Sequence, residues 1–152
     1  MKLGTKYGGE IIIDHSHIIQ FPAGIPGFEE EKEFVLMDMS HVGNVAFQAL
    51  QSIHTPSLAF IVIDPYMLTS AYEFTLDDAT IERMAIKHIE DVIVRVIVTV
   101  KSPFEQSSLN LKAPIVINTR EKQGKQCIIE TSEYATKTPL ASFVSSEAKG
   151  GS

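Results

Sequence analysis

The sequence predicts a mainly β protein, a single-domain small antiparallel β-barrel-like fold with one short helix at about 77–86. Three observations carry this expectation. Val92, Val94, Val96, Val98 and Val100 recur at period two, so an extended chain places five valines on one face. Ile93, Arg95, Ile97 and Thr99 form the mixed opposite face. After a turn at Ser102-Pro103, Leu109, Leu111, Ala113, Ile115 and Ile117 repeat the alternation, with Asn110, Lys112 and Asn118 pointing the other way. Turn-forming residues then punctuate the whole chain every ~8–12 residues and divide it into about eight short strands.

The remaining elements follow in order. Lys2 to Tyr7 and Glu10 to Ile13 read as strands joined by a Gly8-Gly9 hairpin turn. Ile18 to Phe21 is a short apolar run that stops at Pro22. The segment Pro22-Ala-Gly-Ile-Pro-Gly27 carries two prolines and two glycines, so it is a shaped loop rather than a helix or central strand. Phe21, Ile25 and Phe28 are its expected anchors, and Phe21, Pro22, Gly24, Pro26, Gly27 and Phe28 its structural residues. Glu29 to Glu33 reads as a helical turn or solvated loop. Phe34 to Met39 is a strand, Ser40 to Asn44 a turn, and Val45 to Ile53 another strand. Leu58 to Ile63, apolar on both faces, is expected to be fully buried. Thr75-x-x-Asp78 resembles a capping box for a helix over Asp77 to Ile86, with Leu76, Ile81, Met84 and Ala85 on one face. Glu121 to Lys125 is a polar turn and Gln126 to Glu130 a last strand. Pro114 has no N–H, so its strand is expected to lie at an edge or to carry a bulge. One domain is expected over 1–135. Residues 136–152 are expected to be a flexible C-terminal tail, with Lys149-Gly150-Gly151-Ser152 as tail or residues added at cloning.

Composition narrows the function classes. The chain has 152 residues, 44% hydrophobic and 21% charged, which suits one ordinary core. Thirteen basic against nineteen acidic side chains give −6. Phosphate binding needs clustered Lys and Arg, so nucleic acid is not expected as a direct ligand, and a basic partner is favoured. No run approaches the ~18 apolar residues of a membrane span, and the start carries no signal core. A cytoplasmic, soluble protein without a membrane partner is expected, a monomer outside complexes. The lone Cys127 cannot form an internal disulfide and lies in an apolar run, which makes it a small packed side chain rather than a nucleophile.

No arrangement of residues points to catalysis, to a cofactor or to a metal. His15-Ser-His17 has metal-site spacing but no recognisable third and fourth ligand, so turn or surface histidines are the simpler reading. The Pro22–Gly27 loop lacks the Lys-Ser/Thr of a phosphate loop. Arg95 on an apolar strand calls for a carboxylate. Asp77, Asp78 and Glu82 at the helix start, and Glu90 and Asp91 beyond its end, suit capping and solvation. Their second reading is a recognition patch for a basic partner. Asn110 and Lys112, on the outward side of the interrupted strand, are the other candidates for partner binding.

Phe21-Pro-Ala-Gly-Ile-Pro-Gly-Phe28, Phe60-Ile-Val-Ile-Asp-Pro65, Tyr72-Glu-Phe-Thr-Leu-Asp-Asp78, Val100-Lys-Ser-Pro-Phe104 and Asn110-Leu-Lys-Ala-Pro-Ile-Val-Ile-Asn118 stand in one order. Together, from about Tyr7 to Tyr134, they resemble the flagellar assembly factor FliW family. The resemblance implies a small β-barrel-like regulator of the bacterial cytoplasm, not an enzyme. It implies two partners: newly made flagellin and, when flagellin is scarce, the RNA-binding translational repressor CsrA. Binding of the second releases flagellin mRNA by a noncompetitive route. The alternative is a small β-barrel enzyme or ligand-binding module with an interior pocket, which a cavity holding polar groups would favour.

Overall fold

The computed structural model describes residues 1–42, 45–131 and 133–143. A hairpin of β1 (Lys2–Thr5) and β2 (Gly9–Ile12) precedes the main sheet. The sheet contains β3 (Ile19–Gln20), β4 (Glu33–Val42), β5 (Val45–Ser52), β6 (Ala59–Ile63) and β7 (Val92–Thr99). It is completed by β8 (Ser108–Leu109), β9 (Ile115–Asn118), β10 (Gln123–Gln126) and β11 (Thr138–Pro139). An α-helix, α1, spans Asp78–Arg83 and lies between β6 and β7, and residues 141–143 are helical as well.

Strand β7 closes the sheet on itself. It pairs antiparallel with β6 through Val96 and Ile97, and with β9 through Val92 to Arg95. The ring β7-β6-β5-β4-β3-β10-β9 therefore returns to β7. Its members are antiparallel except where β3 meets β10 in parallel at Gln20 and Gln123. Closure removes the free edges that an open sheet leaves exposed. Beyond the ring, β8 continues along β7 at Val98 and Thr99, and β11 pairs with β8.

The interior of the ring is filled by Ile19, Phe21, Ile25, Phe34, Leu50, Val62, Ile115 and Ile117. Ile93 and Ile97, on the mixed face of β7, pack against this cluster. The valine face of β7 joins a second cluster instead, with Phe47, Ile63, Tyr72, Leu109, Leu111 and Leu140. Both faces of β7 are thus covered. Only Val96 and Val98 of the five valines are buried; Val92 and Val94 are half-buried and Val100, past the end of the strand, is exposed. Within the stretch 58–63, expected to be fully buried, Leu58, Phe60 and Ile61 are only half-buried.

The proline-glycine loop plugs one end of the barrel. Phe21 and Ile25 insert into the interior, and the Phe21 ring lies edge-on to Phe34 at 5.2 Å. Its room comes from Gly124 across the ring, where a Cβ would lie 2.4 Å from the Phe21 ring. Gly24 has φ +68° and touches the Glu29 backbone, so only glycine fits there. Phe28 differs from the expectation. It is 42% exposed and anchors against Phe60 from outside.

The pairing of β4 with β5 continues to Val42 with a bulge between Asp38 and His41, so the expected turn at Ser40 to Asn44 is shorter. Glu33 belongs to β4. The expected boundary at residue 135 is also corrected. Thr138 and Pro139 pair with Leu109 and Ser108, Leu140 N donates to Ser107 O, and Leu140 is fully buried. The second cluster needs a lid over Leu109 and Leu111, and Leu140 supplies it. Residues 144–152 of the expected tail lie outside the described residues. Leu140→Ala is expected to cost about 2–5 kcal/mol, read as a lower urea midpoint; an unchanged midpoint would show that the segment is dispensable.

Candidate functional site

Residues 73–91 carry most of the predicted recognition residues, and they are hung on one corner of the barrel. The cap of α1 is Asp77 rather than Thr75: its carboxylate accepts from Thr80 N at 2.7 Å. A charged acceptor at a helix start makes the stronger bond and suits the helix dipole. Hydrogen bonding to the Thr80 side chain, and then to its N–H, holds the Asp77 carboxyl below its ordinary range. The helix buries Thr80 and Met84 and ends at Arg83, shorter than the predicted 77–86. It stops because Ala85 turns left-handed at φ 53°, which leaves Ala85 exposed rather than on the apolar face.

Asn118 ties this segment down. Predicted to point outward, it is 1% exposed, because all its polar capacity is used. Its Nδ2 donates to the Met84 and Ala85 carbonyls at 2.9 and 3.2 Å, and its Oδ1 accepts from Arg120 N and Glu121 N. The next residue, Thr119, donates its N–H and hydroxyl to Asp91 O. The end of α1 and the turn before β7 therefore dock on the same two residues. Asp77, Asp78, Glu82 and Glu90 remain exposed and Asp91 half-buried, and none makes an ion pair within 4 Å among the described residues.

A groove of about 600 Å³ runs beside this segment. One wall holds Glu73, Phe74 and Asp77; the other holds Ile128, Ile129 and Glu130, with Glu133 near its end. The second wall is a continuation of the β9–β10 ladder. In that ladder Gln126 faces Ile115. Cys127 N then donates to Pro114 O and Ile129 N to Lys112 O, which keeps the same register. Burial raises the Cys127 thiol above its ordinary range, as suits a packing side chain and not a nucleophile.

The other predicted residues are placed as follows. Asn110 Oδ1 accepts from Ala113 N, and the Lys112 ammonium donates to the Ile129 and Thr131 carbonyls, so both stabilise local backbone. The interruption at Pro114 is present, but β9 is not an edge strand: β7 flanks it on one side and β10 on the other. Arg95 finds its main partner in Gln48 Oε1 at 2.7 Å and a looser carboxylate in Asp64 at 3.9 Å. Burial lowers its pKa, while Asp64 and Asp38 oppose that shift. His15 and His17 lie in a turn capped by Asp14, where His17 Nδ1 accepts from Asp14 N. The residues missed from sequence are Glu73, Ile128, Glu130 and Glu133. No spacing rule joins residue 73 to residue 133.

These features define a class: a small, nearly all-antiparallel barrel filled by side chains, with acidic groups spread over its outside. The FliW protein family matches residues 2–140. The flagellar assembly factor FliW of Oceanobacillus iheyensis is 47% identical over 142 residues, covering 93% of this chain and 95% of that protein. The one from Bacillus subtilis (strain 168) is 44% identical over 140 residues, 92% of this chain and 96% of that protein. A crystal structure of the flagellar assembly factor FliW superposes with a TM-score of 0.84 at 44% identity, covering 92% of this chain and 96% of that one. The chain belongs to the FliW family, a family of flagellar assembly factors. No helix among the described residues is long and apolar enough to cross a membrane.

Two outcomes follow. Asn118→Ala leaves two carbonyls and two N–H groups without partners. It is expected to cost about 1–3 kcal/mol, visible as a lower urea midpoint at unchanged slope. Asp77 has a folded pKa below its unfolded value, so its contribution to stability is present above the unfolded pKa and is lost as pH falls through the folded one. Stability should therefore drop as pH falls below about 4. Asp77→Asn keeps a capping side chain and should flatten that part of the profile; identical pH profiles for the two proteins would contradict the cap.

Proposed function

We propose that this chain is a non-enzymatic regulator of flagellar assembly that works by holding other proteins. It binds flagellin in the manner of a chaperone. When flagellin is scarce it binds CsrA and antagonises the hold of that repressor on flagellin mRNA, acting as a monomer outside its complexes. The observation that carries this reading is membership of the FliW family over residues 2–140, with relatives named as flagellar assembly factors.

Two physical features support it. The barrel interior is occupied by Phe21, Ile25, Phe34, Leu50 and their neighbours, which favours a binder over an enzyme with an interior pocket. The acidic exterior suits a basic, RNA-binding partner. At physiological salt charges act over about 8 Å, so acidic groups docked beside an RNA site repel phosphate without contact. That is a route to noncompetitive antagonism. In this reading Asp77, Asp78, Glu82, Glu90 and Asp91 supply the field, and Asn110 and Lys112 serve the contact by shaping the neighbouring wall.

Capture of purified flagellin and of purified CsrA on the immobilised full chain tests the proposal; failure to capture either overturns it. Reversing the five carboxylates to lysine is expected to weaken CsrA binding about tenfold or more, measured by calorimetry, and to reduce release of RNA from CsrA. Binding retained with undiminished RNA release would refute the electrostatic part.

A further inference from the structure

The ladder that forms one wall of the groove is left open on its groove side. Cys127 and Ile129 direct their N–H groups to Pro114 and Lys112. In an extended chain successive N–H and C=O groups point to opposite sides, so those of Ile128 and Glu130 face away from β9. Neither residue has a backbone hydrogen bond to any other described residue. The Ile128 side chain is 59% exposed beside them.

Charge then selects what such an edge can accept. Glu73, Asp77, Glu130 and Glu133 line the groove, and no lysine or arginine among the described residues does. Of the nearby cations, Lys112 is committed to the Ile129 and Thr131 carbonyls, while Arg83 and Lys125 act on Asp77 from outside the lining. A strand bearing acidic residues would meet like charge on both walls. A second copy of this chain, at −6, is disfavoured for the same reason. Phe74, Ile128 and Ile129 supply apolar contact between the carboxylates.

We propose that this groove takes an extended, lysine- or arginine-bearing segment of a partner protein, which adds as a strand to the free edge at Ile128 and Glu130. Backbone hydrogen bonds supply the affinity in such additions, and alternate side chains supply the specificity. Here the basic side chains fall on the face that carries Glu130, and the apolar ones on the opposite face, toward Phe74 and Ile129, which both pack against the second cluster. The proposal rests on the reading of this protein as a binder of other proteins, and not on which partner it holds.

The test uses the full chain and a synthetic peptide of about ten residues that alternates lysine with valine and threonine. The peptide is expected to bind at low salt and, at saturation, to slow amide exchange at Ile128 and Glu130 about tenfold or more. The variant Glu73→Lys, Glu130→Lys, Glu133→Lys should bind it about tenfold or more weakly. Ile128→Pro removes an N–H that has no partner among the described residues, so it should weaken binding without lowering the urea midpoint. A peptide of equal charge with proline in place of valine should also bind weakly. Absence of peptide binding, equal binding by the triple variant, equal binding of the proline peptide, or unchanged exchange at both amides would each overturn the groove. Capture of flagellin and CsrA by the parent chain is scored separately, so loss of the groove and loss of the proposed function are distinguishable.

Discussion

Strand β7 lends one edge to β6 and shares its other edge between two strands, and that sharing sets the rest of the geometry. Leu109 pairs with Val98, and Ile115 pairs with Arg95. From 109 to 115 the chain advances six residues while β7 advances only three, from 98 to 95. The surplus cannot stay in the ladder, so the chain leaves β7 after Asn110, whose N–H still bonds Ile97 O, and residues 111–114 bow outward. Their backbone then needs partners beyond β7. Asn110 takes the Ala113 N–H, Ala135 O takes the Lys112 N–H, and Cys127 and Ile129 bond the carbonyls of Pro114 and Lys112. The groove wall is thus a consequence of closing the barrel on a strand that also serves β8. The same closure aligns Ile115 and Ile117 with Arg95 and Ile93, which makes them interior.

The acidic segment is joined to this frame by apolar packing at Phe74 and Met84 and by polar contacts at Asn118 and Thr119. A buried amide that satisfies four backbone groups has little tolerance for substitution, because each group left unpaired in low dielectric costs far more than the bond gains in water. Asn118 and Thr119 hold the segment by its ends, while its carboxylates stay solvated. Such a surface orients its charge without desolvating it. Charge of this kind governs which partners approach, and how fast, more than how tightly they stay.

The fold was legible because period-two alternation reports directly on a half-buried strand, and the punctuation by proline and glycine reports on turns. The shaped loop at Pro22 to Gly27 and the interruption at Pro114 follow from the missing N–H of proline and the missing Cβ of glycine, which are local properties. The errors share one cause. Asn118 was expected outward because alternation counts faces, and it cannot know that a helix end will cover the outer one. Val100 was expected inward because the pattern runs past the residue at which β7 loses its partners. Thr138 to Leu140 resembled a tail because a polar, proline-bearing stretch has no pattern of its own; its order comes from Leu109 and Ser107. The acidic cluster was visible by proximity in sequence, but not the groove.

The sequence by itself determined the strands, the plugging loop, the acidic balance and, through the order of its motifs, the resemblance to FliW. Each of these depends on the chemistry of near neighbours along the chain. Only the tertiary structure decided that β7 closes the ring, that both its faces are covered, and that Glu73 and Glu133 stand at one groove with an open edge between them. Those outcomes depend on which distant strands share a ladder and where their lengths fail to match, and pairwise register across a closed sheet is not written in any local pattern.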